Sequence, residues 1–216
     1  MSCAKNSAAV RSHAGLAGAL AALTLAWSAA FGLSGCARRP AEIIEPGSYP
    51  AANPNDCLPD ITLIDQHGHD VTLSSLKGRP VLIDFIYTTC PGPCPLMTAR
   101  MAAVANLLGA QLGSKVTFLS ITLDPEHDHP PRLLKYAQAA GADRPGWLFL
   151  TGAPMQIEQL MAIYRLRRER NADGSIEHAT VSFLLGPDGH QLRQYAPLHV
   201  KAAAVVADIE RALARS

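Results

Sequence analysis

Two apolar periodicities alternate along the chain from residue 61 onward. Continuous apolar runs of strand length are typical of strands covered on both faces, and they occur in VLIDFIY, KVTFLSITL and WLFL. After each run, apolar residues recur every three or four positions, which predicts helices over 95–112, 130–141 and 154–164. Strand and helix thus alternate three times, as in an α/β fold with parallel strands.

Further strands flank this alternating core. ITLIDQHGHDVTL contains two short apolar runs around a His-Gly turn, which predicts an N-terminal β-hairpin. HATVSFLLG and QLRQYAP predict two strands joined by a PDG turn, and the segment 200–214 predicts a closing helix. We therefore predict an α/β fold, a thioredoxin-like three-layer sandwich with an added N-terminal β-hairpin.

Length and charge restrict the domain organisation and the partners. The 216 residues, 48% of them hydrophobic, suffice for one sizeable domain, which we place at residues 57–216. The formal net charge is only +1, so the composition does not indicate a nucleic-acid partner.

The first 35 residues resemble a targeting segment. Lys5 and Arg11 form a weakly basic start, and no charged residue lies between Ala14 and Gly35. The segment ends in LSGC, which resembles the lipobox of bacterial lipoproteins, so we predict a signal peptide over 1–35 and a lipid on Cys36. An uncleaved membrane helix is the alternative, because the apolar stretch is long enough to span a bilayer.

Either anchor places the domain outside the cytoplasm. Residues 36–56 are rich in Pro and Asn and predict a flexible spacer. We predict a lipid-anchored protein of the cell membrane whose domain lies in the periplasm or outside the cell, where cysteines meet an oxidising environment.

Cys57, Cys90 and Cys94 follow the spacer, and because their number is odd, at least one is free or reserved for chemistry. The role of Cys57 stays open.

Two cysteines in YTTCPGPCPLM are separated by three residues. Cys90 and Cys94 lie where a buried strand ends and a helix begins, the edge at which open α/β sheets gather their active sites. Helix N-terminal amides favour a thiolate there. The prolines stiffen the turn, and we expect Pro95 to open the helix with Cys94 at its cap. Two sulfurs held in this way can close a disulfide or bind a soft ion such as Cu(I), and the spacing does not choose between them.

The sequence resembles the Sco/SenC family of copper chaperones for assembly of cytochrome c oxidase. The resemblance is carried by FIYTTCPGPCP, LSITLDPEHDHPPRLLKYAQAAGA, WLFLTG and IEHATVSFLLGPDGHQLRQY. It implies that Cys90, Cys94 and His178 bind one copper ion, as Cu(I) and also as Cu(II), and that Asp124 assists without binding it. The implied partner is the copper-site subunit of cytochrome c oxidase or a similar cuproenzyme.

The chain departs from the family pattern between the cysteines. Most relatives carry an Asp where this chain has Gly92, and the missing carboxylate bears on copper affinity and redox potential. His127 and His129 beside Asp128 are not part of that pattern. A solvated loop is the interpretation we favour for them, with a weak second Cu(II) or zinc site as the alternative.

A thiol–disulfide reductase is the alternative function, and only on that hypothesis is the protein an enzyme. Cys90 would attack a partner disulfide and Cys94 would resolve it, keeping the oxidase's copper-site cysteines reduced. His178 discriminates the two functions, because copper binding needs it and simple disulfide exchange does not. A peroxiredoxin-like peroxidase is disfavoured. Such enzymes have a Thr three residues before the reactive cysteine, and this chain has Tyr87 at that position.

Overall fold

A computed structural model describes residues 57–196 and 198–215. The predicted signal peptide, Cys36 and the spacer lie outside the described residues, so these predictions remain untested. Within the described part of the chain, no helix is both long and apolar enough to cross a bilayer. The strands are β1 (Thr62–Ile64), β2 (Asp70–Thr72), β3 (Val81–Ile86), β4 (Thr117–Thr122), β5 (Trp147–Leu150), β6 (Arg168–Arg170), β7 (Ile176–His178), β8 (Ser182–Leu185) and β9 (Gln191–Tyr195), and the helices are α1 (Pro93–Leu108), α2 (Pro130–Ala139), α3 (Pro154–Ile163) and α4 (Ala202–Leu213).

A five-stranded mixed sheet forms the centre of the domain. Its order is β5-β4-β3-β8-β9, with β3 parallel to β4, β4 parallel to β5, and β8 antiparallel to both β3 and β9. All residues of β3 and β4 are buried, which explains their continuous apolar sequences. The central position of β3 places the cysteines that follow it at the middle of the sheet edge.

Helices cover both faces of this sheet. Side chains of β3 alternate between two cores: Leu82 and Ile86 pack with α1, α2 and α4, whereas Ile83 and Phe85 pack with α3 and the β1–β2 hairpin. The predicted thioredoxin-like three-layer sandwich with an N-terminal hairpin is therefore confirmed.

Two local features differ from the sequence prediction. Helix α1 begins at Pro93 rather than Pro95, because a proline in the first turn lacks only an N–H that would have no helical partner. It ends at Leu108, since Gly109 follows with a φ of 54°. The hairpin β6–β7, residues 168–178, was not predicted, and it places His178 at the end of β7 rather than at the start of the next sheet strand.

Candidate metal centre

The cysteine turn, residues 87–94, leaves the central strand and enters helix α1. The Cys90 N–H donates to the Tyr87 carbonyl at 3.2 Å, and Gly92 caps the helix, so that Cys94 lies in its first turn. Both cysteines are free thiols. Cys94 is fully buried, whereas Cys90 is 8% exposed and is the sulfur that a partner molecule can reach.

The pKa values of the two thiols are shifted in opposite directions. Burial raises the pKa of Cys90, but hydrogen bonds from the backbone N–H groups of Cys94 and Gly92 and from the Cys94 and Tyr87 side chains outweigh it, leaving the pKa below its usual value. Burial raises the pKa of Cys94 strongly, and its hydrogen bond to the Cys90 sulfur adds to that rise. When the pair loses one proton, that proton therefore leaves Cys90, and Cys94 keeps its own.

His178 meets the cysteine turn from the other side. Its Nε2 lies 3.8 Å from Cys94 Sγ, across 84 residues of sequence. Its Nδ1 lies 3.0 Å from the Ala179 carbonyl oxygen, which accepts a proton and not a lone pair, so Nδ1 carries the hydrogen and Nε2 is left free to bind a metal. Burial lowers the pKa of His178, which keeps the imidazole neutral at pH 7.

This separation suits one shared ion. Transition metals lie about 2.3 Å from a thiolate sulfur and about 2.0 Å from an imidazole nitrogen, as zinc does. A sulfur and a nitrogen 3.8 Å apart are thus within reach of a single ion between them. Two thiols and a neutral imidazole are also the donor types that copper prefers.

Asp124 contacts the histidine hairpin, residues 168–178, rather than the sulfurs. Its Oδ1 accepts hydrogen bonds from Arg170 Nη2 at 2.6 Å and from His127 Nδ1 at 2.9 Å. Burial opposes ionisation of Asp124, but Arg170 and His127 outweigh it and lower its pKa. Because Arg170 pairs with Ile176 on β7, this buried carboxylate fixes the strand that ends at His178.

A second metal site at the His127 loop is disfavoured. Within the described residues, the ligand atoms of Asp124, Glu126 and His127 lie within 4.8 Å of one another. However, the Asp124 oxygen already pairs with the Arg170 guanidinium, whose positive charge repels a cation. His127 and His129 are both exposed, as expected for the solvated loop.

Asp128 is a site residue that the sequence interpretation missed. The sequence predicts a solvated loop here, but Asp128 is buried, with 1% of its surface exposed. Its carboxylate accepts hydrogen bonds from the Thr88 N–H at 3.0 Å, from the Thr88 hydroxyl and from Thr122 Oγ1 at 2.6 Å. Asp128 therefore pins the cysteine turn to the end of β4.

Cys57 lies far from the pair. It forms an isolated antiparallel bridge with His190, in the turn between β8 and β9. Val81, the first residue of β3, pairs with Leu185 at the end of β8, so this turn lies at the start of β3 and the cysteine turn beyond its end. Cys57 is therefore separated from Cys90 and Cys94 by the length of the central strand, which excludes a resolving role in this conformation.

Fold and site together define a class: a thioredoxin-like domain with a free cysteine pair and a facing histidine. The family model described as SCO1/SenC matches residues 50–214. The chain belongs to the SCO1/SenC family. Among curated relatives, a SCO1 protein homolog of Bacillus subtilis (strain 168) is 36% identical over 137 residues, covering 62% of this chain and 70% of that protein.

Solved structures of family members resemble the domain. A SCO1/SenC family lipoprotein from Bacillus anthracis has a TM-score of 0.66 at 25% identity, covering 72% of this chain and 94% of its own. ScoI of Bradyrhizobium japonicum with copper bound has a TM-score of 0.62 at 29% identity, covering 75% and 99%. BsSco, described as a Sco family member with a disulfide switch and as one of the cytochrome c oxidase assembly proteins, has a TM-score of 0.65 at 31% identity, covering 74% and 95%.

Proposed function

We propose that this protein is a copper chaperone in which Cys90, Cys94 and His178 bind one copper ion. The observation that carries the proposal is the 3.8 Å separation between Cys94 Sγ and His178 Nε2. Copper-bound ScoI, a relative of the same fold, supports the choice of metal. Paired thiolates favour Cu(I), and a neutral imidazole suits both oxidation states, so Cu(II) is bound as well.

The cargo is delivered by exchange of ligands. Three protein donors leave room for an incoming sulfur, and the partly exposed Cys90 is the ligand that a recipient reaches first. The recipient is the dinuclear copper site of cytochrome c oxidase or a similar cuproenzyme. The description of BsSco as a member of a family of oxidase assembly proteins supports this recipient.

A lipid on Cys36 tethers the domain to the membrane. The LSGC sequence after an uncharged apolar stretch supports it, as does the likeness to a family member described as a lipoprotein. The domain then faces the periplasm or the outside of the cell. Mass spectrometry of the purified full-length protein tests this, since an acylated N-terminal Cys36 is expected and an intact leader contradicts it.

Thiol–disulfide reduction is the second candidate function. The lowered pKa of the partly exposed Cys90 beside the raised pKa of the buried Cys94 suits an attacking and a resolving thiol. The disulfide switch described for BsSco favours it further. Oxidation to a Cys90–Cys94 disulfide would also abolish copper binding, because neither sulfur could then bind as a thiolate.

An anaerobic Cu(I) competition titration separates these functions. The reduced domain should bind one equivalent tightly, His178→Ala should weaken binding by at least about tenfold, and the oxidised domain should not load. His199→Ala, which removes an exposed histidine beyond β9, is the matched control and should bind like wild type. Absence of tight binding with intact disulfide exchange would overturn the chaperone proposal in favour of the reductase.

A further inference from the structure

Tyr87 contacts both parts of the candidate centre. It follows β3 directly and is 2% exposed. Its hydroxyl oxygen accepts the Ile176 N–H at 3.2 Å, and its ring packs edge to face against His178, with ring centroids 6.1 Å apart and ring planes at 74°. Its carbonyl oxygen accepts the Cys90 N–H. This one residue therefore joins the cysteine turn to the histidine hairpin.

The hydrogen bond at Ile176 also constrains the position of His178, because both residues lie on β7. Side chains two positions apart point to the same face of a strand, so Ile176 and His178 both face the domain while Glu177 is exposed. Ile176 is 5% exposed and belongs to the same hydrophobic core as Cys94. The hydrogen bond from its N–H to Tyr87 fixes the distance between β7 and the cysteine turn.

The hydroxyl of Tyr87 has a second partner. Because its oxygen accepts the Ile176 N–H, its own proton remains available for donation toward the Cys90 sulfur, and this interaction contributes to lowering the pKa of Cys90. The phenol thus spans from one proposed copper ligand to the strand that carries another.

We infer that Tyr87 is a positioning residue of the centre, which holds the histidine hairpin so that the imidazole of His178 faces Cys94. The inference rests on the proposed copper function, in which Tyr87 itself binds no metal. Groups that orient metal ligands affect metal affinity although they do not touch the ion.

Tyr87→Phe tests this inference because it keeps the ring and removes only the hydroxyl. We expect Cu(I) affinity to fall about tenfold, as for other groups that orient a metal ligand. In the His178→Ala background the same substitution should have no further effect, because the oriented imidazole is already absent. Tyr195→Phe is the matched control, since it removes a buried phenol hydroxyl that donates to Asp208 at 2.9 Å on another part of the domain.

A measurement without copper makes the test independent of the proposed function. In the metal-free protein, Tyr87→Phe should speed hydrogen exchange in β6–β7 and leave β8–β9 unchanged. Unchanged exchange in the hairpin would overturn the inference, whether or not copper binds. Equal weakening of Cu(I) binding in both backgrounds would also overturn it, because the hydroxyl would then act on the thiols or the fold. Failure of wild type to bind copper, with faster exchange in the variant, would sink the chaperone function alone.

Discussion

The cysteine turn and the histidine hairpin meet at one centre but are attached to the protein by different means. The cysteine turn continues the central strand, and buried Asp128 pins it to β4 through Thr88 and Thr122. The histidine hairpin is a separate two-stranded sheet. Charged side chains at its surface and the Tyr87 contact hold it, so the turn is a rigid part of the fold and the hairpin a more adjustable one.

The contacts of the hairpin explain this difference. Arg168 binds Glu158 on α3 at 2.6 Å and also donates to the Leu123 carbonyl. Arg170 binds Asp124 at 2.6 Å. Ion pairs of partly exposed side chains contribute little each, about 0 to 1 kcal/mol, whereas burial of the strand before the turn involves the whole core. On the proposed copper function, this division would provide two preorganised sulfurs and a third ligand on the more adjustable hairpin.

Loss of one cysteine sulfur should have the largest effect on Cu(I) binding. Cys94→Ala removes the fully buried thiol that lies 3.8 Å from His178 Nε2 and should abolish tight Cu(I) binding, because one thiolate and one imidazole do not replace a thiolate pair. Anaerobic competition titration measures it. Met97→Leu is the control, since this buried methionine one turn along α1 packs in the core, and its replacement should leave binding intact. Tight binding by Cys94→Ala would contradict the assigned ligands.

The buried carboxyl of Asp84, on β3, should make the stability of the domain depend on pH. Neither of its carboxylate oxygens has a partner with good hydrogen-bond geometry among the described residues, and burial raises its pKa to about 7 although the nearby Ser120 hydroxyl opposes the rise. The unfolded carboxyl ionises near 3.8, so the native state loses stability as the pH rises from about 4 through 7. Asn does not ionise, and the stability of Asp84→Asn relative to wild type should therefore increase by about 2 to 3 kcal/mol between pH 5 and pH 8.

Urea unfolding across that pH range measures the difference. Asp70→Asn, which changes an exposed carboxyl at the start of β2, is the control and should show a far smaller pH dependence. A constant difference between Asp84→Asn and wild type would mean that Asp84 stays ionised in the folded protein.

Local sequence specified the cysteine turn far better than the hairpin. Two cysteines and a strand-to-helix junction lie within one continuous stretch, so their position followed from the pattern alone. The hairpin consists of two strands of three residues, RER and IEH, whose charges and shortness carry no strand periodicity. Its position depends on the distant partners Asp124, Glu158 and Tyr87, which no local window contains. Asp128 was missed for the same reason, since only the fold shows that it is buried.

Release of the hairpin should have an intermediate effect. Arg170→Gln removes the ion pair with Asp124, so β6–β7 should exchange hydrogen faster and Cu(I) affinity should fall about tenfold through His178. The free energy of unfolding should fall by only about 1 kcal/mol, because Arg170 is partly exposed. Arg100→Gln, on the exposed side of α1, is the control. Unchanged affinity would show that Asp124 and Arg170 do not act on the centre.

A negative charge added at Gly92 in the cysteine turn should have the smallest effect. Its size measures how strongly the copper potential responds to a nearby charge. A Cβ at Gly92 would have no neighbouring heavy atom within 4 Å, and its φ of −126° lies outside the left-handed region, so an Asp side chain has room there. The carboxylate should favour Cu(II) over Cu(I) and lower the copper potential by about 30 mV, roughly threefold in relative affinity. Gly92→Asn, nearly isosteric and neutral, is the control. If the potential rises or if Asn lowers it equally, the effect is not one of charge.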